Sequence, residues 1–115
     1  MKLMLVDDEK DFFKIFTILS KKFRFNFVYA ENLAEAKNKL NSEKNIDLII
    51  IDYTLPDGNG LQLSSYVKSH YPEISTALST GHSEMVENKS LKNFDFYIKK
   101  DEIVPFLEDY FANRK

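Results

Sequence analysis

Cysteine is absent from the 115 residues. That excludes a disulfide framework and thiolate chemistry. Two histidines, His70 and His82, without any cysteine give no zinc signal either. Long hydrophobic runs are also missing. The longest, such as Leu3 to Val6 and Leu48 to Ile51, hold four residues, against the ~20 needed to span a bilayer. Charge of one sign is not in excess: 18 acidic residues face 16 basic ones, for a net charge of −2. Such a balance gives no broad electrostatic attraction to nucleic acid or to an anionic membrane. The N-terminus carries one lysine and then Asp7, Asp8 and Glu9, which is not a signal peptide. No repeat, linker, low-complexity tract or Gly-rich phosphate loop of the P-loop type is found. These absences lead us to expect a cytoplasmic protein with no nucleic-acid or membrane partner.

What is there is enough for one domain, residues 1–115, with ten Phe and six Tyr to fill its core. Leu3 to Val6 fits a short buried strand. Phe12, Phe16, Leu19 and Phe23 then recur at helical spacing, with Lys14, Lys21 and Lys22 between them. Phe25 to Ala30 returns to strand-forming residues. Asn32 followed by Glu35 predicts a capping box, and Leu33, Ala36 and Leu40 the buried stripe of a second helix. Asp47 to Ile51 reads as a third strand, Leu61 to Tyr71 as a helix stopped by Pro72, and Ile74 to Ser79 as a fourth strand. Phe94 to Ile98 reads as a fifth strand. Ile103 to Phe111 reads as a closing helix with Pro105 in its first turn. Between Gly81 and Asn93 only Met85, Val86 and Leu91 are large and apolar, which predicts a short or irregular helix.

Strand and helix alternate, so the fold class is α/β with a mainly parallel, doubly wound sheet. Ligands of such sheets bind beyond the carboxyl ends of the strands. Asp7 and Asp8 follow the first strand, Asp52 ends the third, Ser79 and Thr80 end the fourth, and Lys99 and Lys100 end the fifth. Taken singly, each has a plain explanation. Asp7 and Asp8 can cap a helix, Asp52 can be a turn residue, and a strand-end lysine can simply be solvated. Together they make a crevice. Carboxylates about 4 Å apart repel by ~1 kcal/mol in water and ~4 kcal/mol at an effective dielectric of 20. A hard divalent cation relieves this. Mg²⁺ fits best, since it accepts one or two carboxylates with waters and phosphate oxygens. An Asp beside Mg²⁺ can serve as a nucleophile toward phosphorus.

The stretches "LMLVDDEKDF", "LIIIDYTLPDGNGLQL", "LSTGHSE" and "FYIKK", in this order and spacing, resemble those of response-regulator receiver domains of two-component signalling, the CheY-like family. The resemblance spans nearly the whole chain. It implies a flavodoxin-like five-stranded sheet of order 2-1-3-4-5. It implies Asp52 as phosphoacceptor, Asp8 as direct Mg²⁺ ligand, Asp7 as its water-mediated partner and the Thr54 carbonyl as a further metal ligand. Thr80 matches the switch hydroxyl, and Lys99, with Lys100 as the alternative, the lysine that pairs with the phosphoryl group. Phe96, three before Lys99, takes the aromatic switch position. Thr54 and His82 flank the path of the water that removes the phosphoryl group. The implied function is signalling rather than metabolic catalysis: the domain catalyses its own phosphorylation and slow autodephosphorylation. The implied donor is a sensor histidine kinase or a histidine phosphotransfer protein. The implied recipient is a downstream protein or an output domain, and a phosphorylation-dependent dimer is compatible with the family.

The sequence departs from the family where Lys100 stands in place of the proline that usually follows the lysine, and where the segment from Thr80 to Lys99 is short. Those departures keep open a pseudo-receiver, an interaction module without phosphotransfer. A dehalogenase-type phosphatase also uses a strand-end Asp, but wants a second Asp where Thr54 stands. The start at Met1 suggests a natural N-terminus, and no DNA-binding segment follows the last helix within these 115 residues.

Overall fold

Strands that are apolar along their whole length must be covered on both faces, and helices provide the cover. The computed structural model describes residues 1–81 and 93–113. The expected short helix between Gly81 and Asn93, and His82 with it, lie outside the described residues. The elements run β1 (Lys2–Val6), α1 (Lys10–Phe23), β2 (Asn26–Ala30), α2 (Leu33–Ser42), β3 (Leu48–Asp52), β4 (Thr54–Leu55), β5 (Gly58–Asn59), α3 (Gly60–His70), β6 (Ser75–Thr80), β7 (Phe96–Lys99), a 3₁₀ turn (Lys100–Glu102) and α4 (Ile103–Ala112). The five longer strands are all parallel, in the order β2-β1-β3-β6-β7. Setting aside the β4-β5 hairpin, this is the 2-1-3-4-5 order that the family resemblance implied.

Alternation along each strand sorts the core into two layers. Leu3, Leu5, Leu48, Ile50, Ala77 and Ile98 face α1 and α4, where they meet Phe12, Phe16, Leu107 and Tyr110. Met4, Val6, Ile49 and Ile51 face α2 and α3, where they meet Leu33, Ala36, Leu63 and Val67. Of the helical stripe, Phe12, Phe16 and Leu19 are buried as the spacing required, while Phe23, at the last turn of α1, is half-buried.

Local chemistry sets the element ends. Asn32 caps α2 by accepting from the Glu35 amide at 2.8 Å. The reciprocal bond of a capping box is displaced, because the Glu35 carboxylate accepts from Glu31 N at 3.3 Å. The complete box belongs to α3, where Asn59 and Gln62 bond each other's backbone amides. The antiparallel β4-β5 hairpin was not legible in advance, since two residues per strand are too few to show a period. Gly60 starts α3 against the backbone of β3. A side-chain carbon there would sit 2.6 Å from the Asp52 carbonyl oxygen, so only glycine lets helix and strand approach this closely.

Candidate functional site

Sheet alternation continues past the strand ends. Asp7 follows Leu3 and Leu5 on the face toward α1, and Asp52 follows Leu48 and Ile50 on that same face. Ser79 shares a rung with Asp52 and another with Ile98. Lys100 is two residues beyond Ile98, again on that face. The carboxyl edge of the sheet thus carries a row of polar groups on the side of α1.

Asp7, Asp8 and Asp52 each bring a carboxylate oxygen to within 4.8 Å of the others. Asp7 and Asp52 are buried and Asp8 is exposed. The Lys100 ammonium lies beside two of them, 2.8 Å from Asp7 and 3.4 Å from Asp52, and it also pairs with Glu9. It stands 5.2 Å above the centre of the Phe12 ring, a cation–π contact that packs the lysine stem against the core. Burial pushes the Asp52 carboxyl up to about 6, the Asp7 charge adds to the push, and Lys100 opposes it. Asp7 is raised as well, burial outweighing its hydrogen bond to Lys100. Burial also works against the charge of Lys100, but its bonds to Asp7 and Glu9 prevail and hold its pKa above the ordinary lysine value. Three hard-oxygen donors, two of them held away from water, form a site suited to Mg²⁺.

Two expected placements are corrected. Lys99, the preferred lysine, does not enter this pocket. It is exposed and shares a rung with Thr80 on the opposite face. The pocket lysine is Lys100. Phe96, expected beside Thr80, lies on the α1/α4 face against Phe106 and Tyr110, with ring centroids 5.3 and 5.9 Å away. The aromatic on the Thr80 face is Tyr97, which shares a rung with Leu78, two residues before Thr80, and is 44% exposed. Counting three back from Lys100 rather than Lys99 also arrives at Tyr97. The one-residue shift has one cause: parity in a strand assigns neighbours to opposite faces.

Thr80 ends β6 with its hydroxyl buried and without a hydrogen-bond partner among the described residues. The Ser79 hydroxyl, on the Asp52 rung, is in the same condition. Thr54 opens β4 with an exposed side chain. The loop that follows is pinned in two places. Tyr53 O accepts from Gly60 N at 2.8 Å. The Asp57 carboxylate accepts from Leu33 N at 2.8 Å and Ala34 N at 3.1 Å, so the hairpin beside Asp52 also caps α2. Glu9 is the pocket residue that sequence reading left out. Its signal was its place directly after two acids, at the start of α1.

The chain matches the response regulator receiver domain model over residues 3–104. It is 31% identical over 101 residues to the response regulator protein PilR of Pseudomonas aeruginosa, a match covering 85% of this chain and 22% of that protein. It is 27% identical over 113 residues to the transcriptional regulatory protein NatR of Bacillus subtilis, covering 97% of this chain and 47% of that one. The chain therefore spans less than half the length of either relative. Among solved structures it superposes on the response regulator TrrA of Thermotoga maritima, a complex with Mg²⁺-BeF. The TM-score is 0.82 at 25% identity, over 94% of this chain and 96% of that one. A CheY-like receiver domain from Methanospirillum hungatei shares the fold at TM-score 0.83 and 18% identity, over 97% and 94% of the two chains. The chain belongs to the response regulator receiver domain family of two-component systems. Among the described residues, no helix is long and apolar enough to cross a membrane.

Proposed function

We propose that this domain takes a phosphoryl group onto Asp52 and uses it to switch a protein-binding surface. The P–N bond of a phosphohistidine breaks as a P–O bond forms to an Asp52 oxygen. The imidazole leaves with the electron pair and takes up a proton. Asp7, Asp8, Asp52 and the Thr54 carbonyl are the groups that would hold Mg²⁺, which when bound would neutralise charge on the transferring oxygens. Lys100 binds one phosphoryl oxygen by a charge-assisted hydrogen bond. Thr80 supplies a hydroxyl to another, and Tyr97, on the same face of the sheet, follows its movement. The same residues would catalyse slow loss of the phosphoryl group to water.

The observation that carries this reading is the convergence of the Asp7, Asp8 and Asp52 carboxylates within 4.8 Å of one another, with the half-buried Lys100 ammonium paired to Asp7 and Asp52, in a chain of this family. The donor is a sensor histidine kinase or histidine phosphotransfer protein in the cytoplasm, and the recipient an output domain or a separate protein. A dimer formed on phosphorylation is one form the output can take.

Intact mass tests this after incubation with acetyl phosphate and Mg²⁺. A gain of one phosphoryl group is expected, lost in Asp52→Asn and lost without Mg²⁺. No gain from acetyl phosphate or from a phosphohistidine donor, together with no Mg²⁺ binding, would favour an interaction module without phosphotransfer. With Lys100 as the pocket lysine, the residue in place of the family's usual proline is Asp101 rather than Lys100, and this departure, with the short Thr80–Lys99 segment, supports that second reading.

A further inference from the structure

A lysine ammonium has three N–H donors. In this protein the Lys100 ammonium faces three carboxylates, those of Asp7, Glu9 and Asp52. Two of these contacts are hydrogen bonds, to Glu9 and Asp52, and the third is an ion pair with Asp7 at 2.8 Å. A phosphoryl oxygen on Asp52 competes with these partners for the ammonium. Asp7 is fully buried, with its other oxygen accepting from Glu9 N at 2.8 Å. Asp52 is the carboxylate that carries the phosphoryl group. Glu9 differs from both. Its side chain is 58% exposed, against 11% for that of Lys100. It sits at the N-cap of α1 but makes no side-chain capping bond. It also borders a cleft of about 300 Å³ lined by Phe12, Ile15, Gly81, Lys100 and Asp101, which gives its side chain room to leave.

We propose that Glu9 is an exchangeable partner of Lys100, holding the ammonium in place in the unphosphorylated protein and giving it up to the phosphoryl group. Glu9 is thus a positioning residue whose grip on Lys100 opposes phosphoryl binding. This rests on the reading of Asp52 as phosphoacceptor. In the occupied state the Lys100 donor turns from Glu9 to the new oxygen. The freed carboxylate then moves into the solvent-facing cleft, and the surface beside Gly81 and Asp101 changes shape.

Beryllium fluoride with saturating MgCl₂ tests the exchange without covalent chemistry. Apparent affinities would be compared by NMR titration for the wild type, Glu9→Gln and Glu9→Asp, with Asp52→Asn as a blank. Removing an exposed ion pair should tighten binding in Glu9→Gln by roughly two- to fivefold. Glu9→Asp keeps the charge but is one methylene short of Lys100, and should tighten too. The Mg²⁺ affinity of the free protein, titrated separately, should change less than the beryllium fluoride affinity. Equal or weaker binding in Glu9→Gln overturns the exchange. Wild-type affinity in Glu9→Asp beside a tighter Glu9→Gln would mean that general charge, not the contact, is responsible, and also overturns it. If the wild type binds Mg²⁺ but no beryllium fluoride, the phosphoacceptor reading itself fails and takes this one with it.

Discussion

The ammonium of Lys100 lies 3.4 Å from the carboxylate of Asp52, joined across the sheet edge by residues that all point toward α1. Its neighbour Lys99, one position earlier, points to the other face. Replacing Lys100 with Ala should lower the rate of Asp52 phosphorylation by acetyl phosphate roughly tenfold or more, the scale of a lost charge-assisted hydrogen bond. Lys99→Ala should leave the rate within about twofold, as for a surface change away from the chemistry. Parallel single-turnover time courses followed by mass would read both.

The two aromatics of β7 should separate stability from signalling. Phe96 packs edge-on against Phe106 and Tyr110, so Phe96→Ala should cost about 2–4 kcal/mol in urea unfolding. Tyr97→Ala, at an exposed position on the Thr80 face, should cost under about 1 kcal/mol but weaken the response of the partner to phosphorylation. Thr80→Ala should do likewise while leaving Asp52 able to accept the phosphoryl group. An unchanged partner response in both variants would sink the coupling.

The raised Asp52 carboxyl predicts a pH effect on the metal-free protein. Burial lifts it from 3.8 to about 6 in the folded state. Between those values the folded protein binds more protons than the unfolded one, so stability from this group falls as pH rises through that window. Above about pH 6 the folded state bears the full cost of the buried charge. Asp52→Asn should therefore raise stability at pH 7 by roughly 1–3 kcal/mol and by much less at pH 4. Denaturant melts at the two pH values, in EDTA, would test it.

Mg²⁺ should offset that same cost. Binding to the folded state alone stabilises by mass action, about 2.7 kcal/mol at a hundredfold excess over Kd. The melting temperature at pH 7.5 should rise with MgCl₂ and return when EDTA is added. Asp52→Asn should lose most of this dependence.

Asp57 ties the loop after Asp52 to the start of α2 through two backbone amides. Those bonds, Leu33 first, hold its carboxyl below the usual value. Asp57→Ala should cost about 1 kcal/mol, as the loss of a helix cap does. The contribution should be present at neutral pH and lost as pH falls through the carboxylate range, since the folded state then holds the proton less readily than the unfolded one.

The sequence by itself determined the architecture, because burial patterns are local. Four-residue apolar runs, a Phe12–Phe16–Leu19 stripe and polar breaks at fixed intervals admit few arrangements other than a covered parallel sheet. It also determined that acids and a lysine gather at one edge, since parallel strands all end on the same side. Tertiary structure decided which of two adjacent lysines enters the pocket, and which of two adjacent aromatics shares the Thr80 face. Neighbours in a strand project to opposite faces, so a question of one residue depends on register, and register is fixed by pairing with strands distant in sequence. The partnership of Glu9 with Lys100, between residues 91 positions apart, was likewise beyond local reading. It arises only because the start of α1 and the end of β7 meet at the same edge of the folded sheet.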